Sequence, residues 1–354
     1  MLSNVVETMD VNNTKITIVI SSYYNGGSEN FGINISQYLS KFYKVSLLSL
    51  KNFGILKEKI ELSENLESVN FGMSKNRYKL FKVYKFLKDK KIVFSVMRDS
   101  NIFCLISGLF IPGLKVFIRE GNRVNKLNFV YTLLLNILYL RATKIIVNSI
   151  DIKRDLEQKF FFLKKKIKII YNPINSYSHK SKDKKSQKII LNIARMHKQK
   201  NHFLLLESFS KCLEKNKNIK LILVGNGPEE KSIKEKIEIL KLSNYVSIIE
   251  STNNLNEIFF KADLYVHTSF YEGFPNVIAE SIANRIYCIS TPSSSSLKDI
   301  ILDSKYGYIL KTFDQDELSN QILKSLNLSG FDNSKFIDKF FINNYGTNFL
   351  NLFK

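Results

Sequence analysis

The chain has 354 residues, 44% of them hydrophobic and 24% charged, long enough for two α/β domains and too apolar for wholesale disorder. Cys104, Cys212 and Cys288 are few, odd in number and far apart, which excludes a disulfide framework or a zinc pattern and points to a reducing, cytoplasmic setting. The net charge of +21 is uneven: residues 1–170 hold 28 Lys/Arg against 13 Asp/Glu, and residues 171–354 hold 25 against 19.

The basic excess has three readings: nucleic acid, an anionic membrane surface, or a Lys-rich composition with no function attached. The lysines are scattered through apolar segments and form no dense arm, which argues against nucleic acid. The first twenty residues carry Glu7, Asp10 and one short apolar run, ITIVI, so no signal peptide is expected. No apolar stretch reaches the roughly 18 residues a membrane-crossing helix needs.

In chain order, KITIVISS reads as a strand, GGSENFGINISQYLSKF as a helix and YKVSLLSL as a strand. RYKLFKVYKFLKDK then reads as a helix, KIVFSVM and LKVFIRE as strands, KLNFVYTLLLNILYLRA as a helix and TKIIVNSI as a strand. Such alternation implies βαβ units and a parallel sheet covered on both faces. FVYTLLLNILYL, residues 129–140, is apolar nearly all round; a buried core helix is the default reading and a membrane-touching one the alternative. FFFLKKK, residues 160–166, mixes aromatics with lysines and suits either an interface or a strand edge.

A polar stretch, NSYSHKSKDKKSQ (175–187), separates a second series. It comprises KIILNIAR, IKLILVGNG, YVSIIE, DLYVHTS and YCIST as strands, with NHFLLLESFSKCLEK, PEEKSIKEKIEIL, LNEIFFKA and NVIAESIAN as helices. The expected boundaries are a first domain over 1–172, a linker over 173–187 and a second domain over 188–334. Residues 335–354 are expected to form a helix that crosses back to the first domain. Two such open sheets would face each other and bind ligands at the carboxyl ends of their strands.

The most informative segment is EGFPNVIAE, which sets Glu272 and Glu280 eight positions apart between a strand end and a helix start. Pro275 suits the first helical position, and the N–H groups of Asn276 and Val277 would then open an anion site. A site holding both phosphate and hydroxyls fits a nucleotide sugar. NIARMHKQKNHF places Arg195 after a strand and Lys200 before a helix; the pair suits a diphosphate, or is two solvated loop cations.

In LILVGNGPEE, Gly225 and Gly227 make an incomplete dinucleotide fingerprint. The acids that follow would repel phosphate, so a tight turn lining the cleft is the conservative reading. Gly26 and Gly27 after the first strand would let backbone approach a ligand or simply form a turn, and REGN would place Arg119 or Glu120 in the cleft. DQD (314–316) is read as a helix cap and not as a metal site. The four histidines show no ligand spacing, and His267 at a strand end is read as packing. Neither a nucleophile elbow nor a Cys/His pair is present.

Together these segments resemble glycosyltransferase family 4, the retaining GT-B group, most clearly over residues 188–310. EGFPNVIAE is similar to that family's E-x7-E motif, and NIARMHKQKN to its donor-diphosphate segment. LILVGNGPEE, KYGYILKTFDQDEL, GGSEN, ATKIIVNSIDIKRDL and YNPIN are similar to other family segments. REGN stands where many relatives carry a histidine, and the last stretch is hard to align.

The resemblance implies two Rossmann-like doubly wound domains facing a central cleft, the first binding acceptor and the second binding donor. It implies Glu272 on donor-sugar hydroxyls, Glu280 on ribose hydroxyls and Gly273, Phe274, Pro275, Asn276 and Val277 presenting backbone N–H groups. Arg195 and Lys200 would neutralise the diphosphate, and Ser251 and Thr252 would hold the base. No metal or other cofactor is expected. The implied reaction is retaining transfer of a sugar from a nucleotide sugar, UDP-linked, to a carbohydrate or undecaprenyl-diphosphate-linked glycan in bacterial surface polysaccharide synthesis. The implied place of action is the cytoplasm or the inner face of the plasma membrane. A GT-B nucleotide-sugar epimerase, or a basic membrane- or nucleic-acid-binding protein with a degenerate site, is the alternative.

Overall fold

A computed structural model describes residues 15–23, 27–51, 54–60, 62–72, 76–121, 129–172, 174, 187–250, 255–340 and 342–353. The chain divides into two compact units, one of residues 1–173 with 343–354 and the other of 174–342.

In the first unit the strands are β1 (Lys15–Ile20), β2 (Lys44–Ser49), β3 (Leu66–Asn70), β4 (Ile92–Ser95), β5 (Lys115–Glu120), β6 (Lys144–Val147) and β7 (Ile167–Ile169). They alternate with helices α1 (Gly27–Leu39), α2 (Asn76–Leu87), α3 (Arg98–Leu109), α4 (Phe129–Leu140) and α5 (Ile150–Lys159). All pairs are parallel, in the order β3-β2-β1-β4-β5-β6-β7. Strands such as β1 and β5 are continuous buried runs because helices cover both sheet faces. One core joins sheet residues Val93, Val116 and Ile145 to Val83 of α2, Leu105 of α3, Leu135 of α4 and Leu156 of α5. The apolar segment 129–140, expected to be buried, is covered on one face only. Leu135, Leu138 and Tyr139 point inward, while Val130, Leu133, Leu134, Ile137 and Leu140 are exposed.

The second unit repeats the architecture with β8 (Lys188–Ile193), β9 (Ile219–Val224), β10 (Val246–Ile249), β11 (Leu264–His267), β12 (Tyr287–Ser290) and β13 (Gly307–Ile309). Its helices are α6 (His202–Lys215), α7 (Glu230–Ile239), α8 (Leu255–Lys261), α9 (Asn276–Ala283), α10 (Leu297–Ile300) and α11 (Gln315–Ser325). The parallel order is β10-β9-β8-β11-β12-β13. Strand order therefore reverses between β8 and β11, which makes the carboxyl ends of those two strands the place where an open sheet forms its ligand crevice. The DQD segment caps α11: Asp314 Oδ1 accepts from Glu317 N at 2.7 Å.

The sequence does not announce β3, α3, α5 or β7, which are short or lack clean periodicity. Most of the expected linker 173–187 lies outside the described residues. The last stretch is helical on both sides of residue 341, which lies outside the described residues. In α12 (Ser334–Phe340), Phe336 packs 5.8 Å from Tyr306 of the second unit. In α13 (Ile342–Phe353), Phe349 and Phe353 pack at 5.4 Å on Phe94 and 5.1 Å on Phe117 of the first.

Candidate active site

Past Ile193 the chain leaves β8 through Arg195 and enters a 3-10 turn, Lys198–Lys200. The His197 ring caps that turn by accepting from Gln199 N at 3.2 Å. Asn201, in the left-handed region at φ 49°, then redirects the chain into α6. Past His267 the chain leaves β11 and runs to EGFPN and α9. Three bonds stitch the two strand-end loops together. Thr268 Oγ1 donates to Lys200 O at 2.9 Å, Phe270 N to Gln199 O at 2.9 Å and Gln199 Nε2 to Tyr271 O at 2.7 Å. They bring Lys200 Nζ to 2.5 Å from Glu272 Oε1. Residues 72 apart in sequence thus form one ion pair at the reversal of strand order.

Two other segments fix this geometry. The GNG turn is required by close approach: a Cβ on Gly225 would lie 2.1 Å from Ala194 O, and one on Gly227 2.4 Å from Met196 O. Met196 N donates to Asn226 O and Glu229 N to Met196 O, at 2.9 and 3.0 Å. The turn therefore clamps the Arg195 loop. On the other side, Glu272 N donates to Ser293 O at 2.9 Å, while Ser294 Oγ and Ser296 Oγ donate to Gly273 O at 3.1 and 2.9 Å. The serine run after β12 is a support that no motif had singled out. The ring of Phe274 is buried 6.2 Å from Phe340, so this residue anchors the loop through its side chain. Pro275 occupies the cap of α9, and Asn276 begins the helix. This is one residue later than expected, because Pro275 has ψ 83° and is not helical.

Charge states follow from the surroundings. Burial by itself would raise the Glu272 carboxyl, but His267 and Lys200 outweigh it and hold the group down at about 2. Glu272 is thus an ionised acceptor. His267, which the sequence had suggested is packing, is buried with Nε2 3.4 Å from Glu272 Oε1 and Nδ1 3.4 Å from the Tyr265 hydroxyl. Burial depresses the imidazole although Glu272 pulls the other way, so one ring nitrogen carries the proton. Buried His202 behind Lys200 is pushed to about 4 by burial, then by Lys200 and His267. On the first turns of α9, Glu280 has no polar side-chain partner among the described residues, and burial raises it to about 7. Arg195 is exposed, without an ion pair among the described residues.

The expected residues fall into three groups. Arg195, Lys200, Gly225, Gly227, Glu272, Gly273, Phe274, Pro275, Asn276, Val277 and Glu280 all belong to the second unit, where the strand-end loops bring Lys200 and Glu272 into direct contact. Gly26, Ser251 and Thr252 lie outside the described residues. In the first unit Gly27 is exposed at the start of α1, and the expectation for Arg119 and Glu120 requires correction. Both are buried, at 2% and 1% exposure. Arg119 donates to Asn172 Oδ1 at 2.7 Å and Ser28 Oγ at 3.2 Å and lies over the Phe31 ring. Glu120 accepts from Arg98 at 2.7 Å, Tyr139 at 2.5 Å and Asn101 at 3.1 Å. Their polar atoms hold α1, α3 and α4 to the end of β5, so these side chains fasten the domain together.

As chemistry, the second unit offers cations on the β8 side and two carboxylates of unequal acidity on the β11 side, next to a helix N-terminus. That is a cradle for an anion carrying hydroxyls.

Residues 174–338 match the family model described as glycosyl transferases group 1. A Campylobacter jejuni N-acetylgalactosamine-N,N'-diacetylbacillosaminyl-diphospho-undecaprenol 4-alpha-N-acetylgalactosaminyltransferase is 26% identical over 86% of this chain and 88% of its own length. Another C. jejuni enzyme, an alpha-1,4-N-acetyl-D-galactosaminyltransferase acting on a GalNAc-containing diNAcBac-PP-undecaprenol, is 23% identical over 90% of each chain. Among solved structures, Anabaena HepE in complex with UDP superposes with a TM-score of 0.83, at 16% identity, over 96% of this chain and 99% of its own. The chain is accordingly a glycosyltransferase of GT-B architecture, and residues 174–338, nearly all of its second unit, match the glycosyl transferases group 1 model.

Proposed function

We propose that the protein is a retaining glycosyltransferase that moves a sugar from a UDP-sugar to a lipid-diphosphate-linked glycan in surface polysaccharide synthesis, without a metal. The contact between Lys200 and Glu272 carries this reading. A cation and an ionised carboxylate that share a bond in the free protein can each exchange it for a part of the donor, Lys200 for diphosphate and Glu272 for sugar hydroxyls. Arg195 supplies the second cation, and together they stabilise charge on the leaving group as it develops. The names of the two Campylobacter relatives support a polyprenyl-diphosphate-linked acceptor, and the UDP complex of HepE supports the nucleotide.

In this mechanism the bond from the anomeric carbon to the diphosphate oxygen breaks, and its electron pair stays on that oxygen. The acceptor hydroxyl forms the new bond on the same face, and its proton passes to the departing oxygen. Glu272 takes sugar hydroxyls in exchange for its contact with Lys200, so in this mechanism it orients the donor and does not attack it. The test is a screen of nucleotide sugars with a synthetic polyprenyl-diphosphate glycan, with chelator present, and the anomeric configuration of the product read by NMR. Transfer with inversion, or transfer lost to chelator, would overturn the mechanism. Epimerised donor formed with no acceptor present would favour the epimerase reading.

A further inference from the structure

Three segments of the first unit meet at the end of the sheet opposite the carboxyl ends of its strands. Arg141, just past α4, donates from Nε to Gly108 O at 2.7 Å and from Nη2 to Leu114 O at 2.8 Å, which ties the end of α3 to the end of α4. Lys166 Nζ donates to Leu140 O at 2.5 Å and Ala142 O at 2.8 Å, which ties the 3-10 turn Phe161–Lys166 to the same place. These ties consume polar atoms and leave apolar ones outside. Leu109, Phe110, Ile137, Leu140, Phe161 and Phe162 are all exposed, the last two at 73% and 84%. The Phe161 and Phe162 rings stand edge to face, 5.8 Å apart.

The charge around this patch has one sign. Segments 108–114, 137–144 and 159–168 contain Arg141, Lys144, Lys159, Lys164, Lys165, Lys166 and Lys168 and no Asp or Glu. The cations are crowded: burial, and then Arg141 and Lys144, depress Lys166. Several large apolar side chains exposed together at the ends of adjoining segments mark an interaction surface, and a second copy docked on it would oppose two sets of like charge. A bilayer with anionic lipid meets both requirements, since hydrocarbon takes the aromatic tips and headgroup phosphates take the lysines.

We propose that the ends of α3 and α4 and the Phe161–Lys166 turn form a docking surface for an anionic membrane. Phe161, Phe162 and Leu140 enter the interface while Lys144, Lys164 and Lys165 pair with lipid phosphates. No helix among the described residues is long and apolar enough to cross a membrane, so this contact is peripheral and weakened by salt. It lies on the first unit alone and does not depend on the transferase reading.

The experiment is flotation of the full chain with phosphatidylcholine vesicles, with and without phosphatidylglycerol, at low and high salt. Binding about tenfold stronger to the anionic vesicles, reversed by salt, is expected. The Phe161→Ser/Phe162→Ser variant should lose about tenfold on anionic vesicles, and Lys164→Glu/Lys165→Glu should lose the phosphatidylglycerol preference. Both should keep the wild-type melting temperature and UDP affinity. Absence of wild-type binding at low salt, or binding that ignores both variants, would overturn the proposal. So would a sedimentation result in which wild type is a dimer and the Phe variant a monomer, since the patch would then be covered by a second copy.

Discussion

Both sheets reverse their strand order in the same way, between β1 and β4 in one unit and between β8 and β11 in the other. Yet they treat the charges at their strand ends in opposite ways. In the first unit Glu120 is fully enclosed and accepts from Arg98, Tyr139 and Asn101. In the second, Lys200 and Glu272 keep 21% and 12% of their side-chain surface exposed and hold each other across two loops. A carboxylate satisfied by several buried donors is part of the scaffold. One paired with a partly exposed lysine can trade that partner for a ligand. The same topology therefore builds a fastener in one unit and a candidate binding site in the other.

The largest effect expected from this contrast is on stability in the first unit. Glu120→Ala would leave the Arg98 guanidinium and the Tyr139 hydroxyl without their acceptor and cost about 3–5 kcal/mol, measured by urea unfolding. A loss under about 1 kcal/mol would mean the network is not structural. In the second unit, Lys200→Ala and Glu272→Gln should lower kcat about 10²–10³-fold while leaving the fold intact by circular dichroism. Wild-type turnover in either variant would place the donor site elsewhere.

His267 sharpens the comparison, because it is a buried group whose ring lies 3.4 Å from the partly exposed Glu272. His267→Leu should lower kcat/KM about tenfold, with most of the loss in kcat. His267→Gln, which keeps a donor toward Glu272, should recover most of it. Equal behaviour of Leu and Gln would reduce His267 to packing.

The smallest effect concerns Glu280. Its folded carboxyl lies at about 7 against an ordinary 4.5, so the folded state binds the proton more tightly than the unfolded chain. Stability is then greatest below about pH 4.5 with respect to this group and is lost as pH rises toward 7. Glu280→Gln should gain on the order of 1 kcal/mol of stability at pH 8 relative to wild type. It should also bind UDP more weakly, by calorimetry. A variant that gains nothing at pH 8, or binds UDP unchanged, would remove the carboxyl from the donor site.

Alternating apolar runs were enough to read two parallel α/β units, because parallel strands buried on both faces leave continuous hydrophobic segments and their crossovers leave amphipathic helices. EGFPNVIAE and the Arg195–Lys200 segment were legible as strand-to-helix loops because Gly, Pro and polar residues mark where a strand ends and a helix begins. Arg119 and Glu120 carried a similar signal, a charged pair ending a strand, and misled for a physical reason. Whether such a pair faces ligand or core depends on partners far away in sequence, here the donors Arg98, Asn101 and Tyr139 for Glu120 and the acceptor Asn172 for Arg119. His267 was discounted because its partner lies five residues on, around a loop whose path is set by Ser293, Ser294 and Ser296. The helix at 129–140 was read as core because period alone cannot tell a covered apolar face from an open one.

The sequence by itself determined the two α/β units, the chemistry of the strand-end motifs and the uneven basic charge, since these follow from local periodicity, turn residues and composition. The tertiary structure decided which charges were free to meet a ligand, which histidine stood behind Glu272 and where the apolar and basic surfaces coincided. Those outcomes depend on contacts between residues tens of positions apart, and burial at such contacts sets both the charge state and the availability of every group involved.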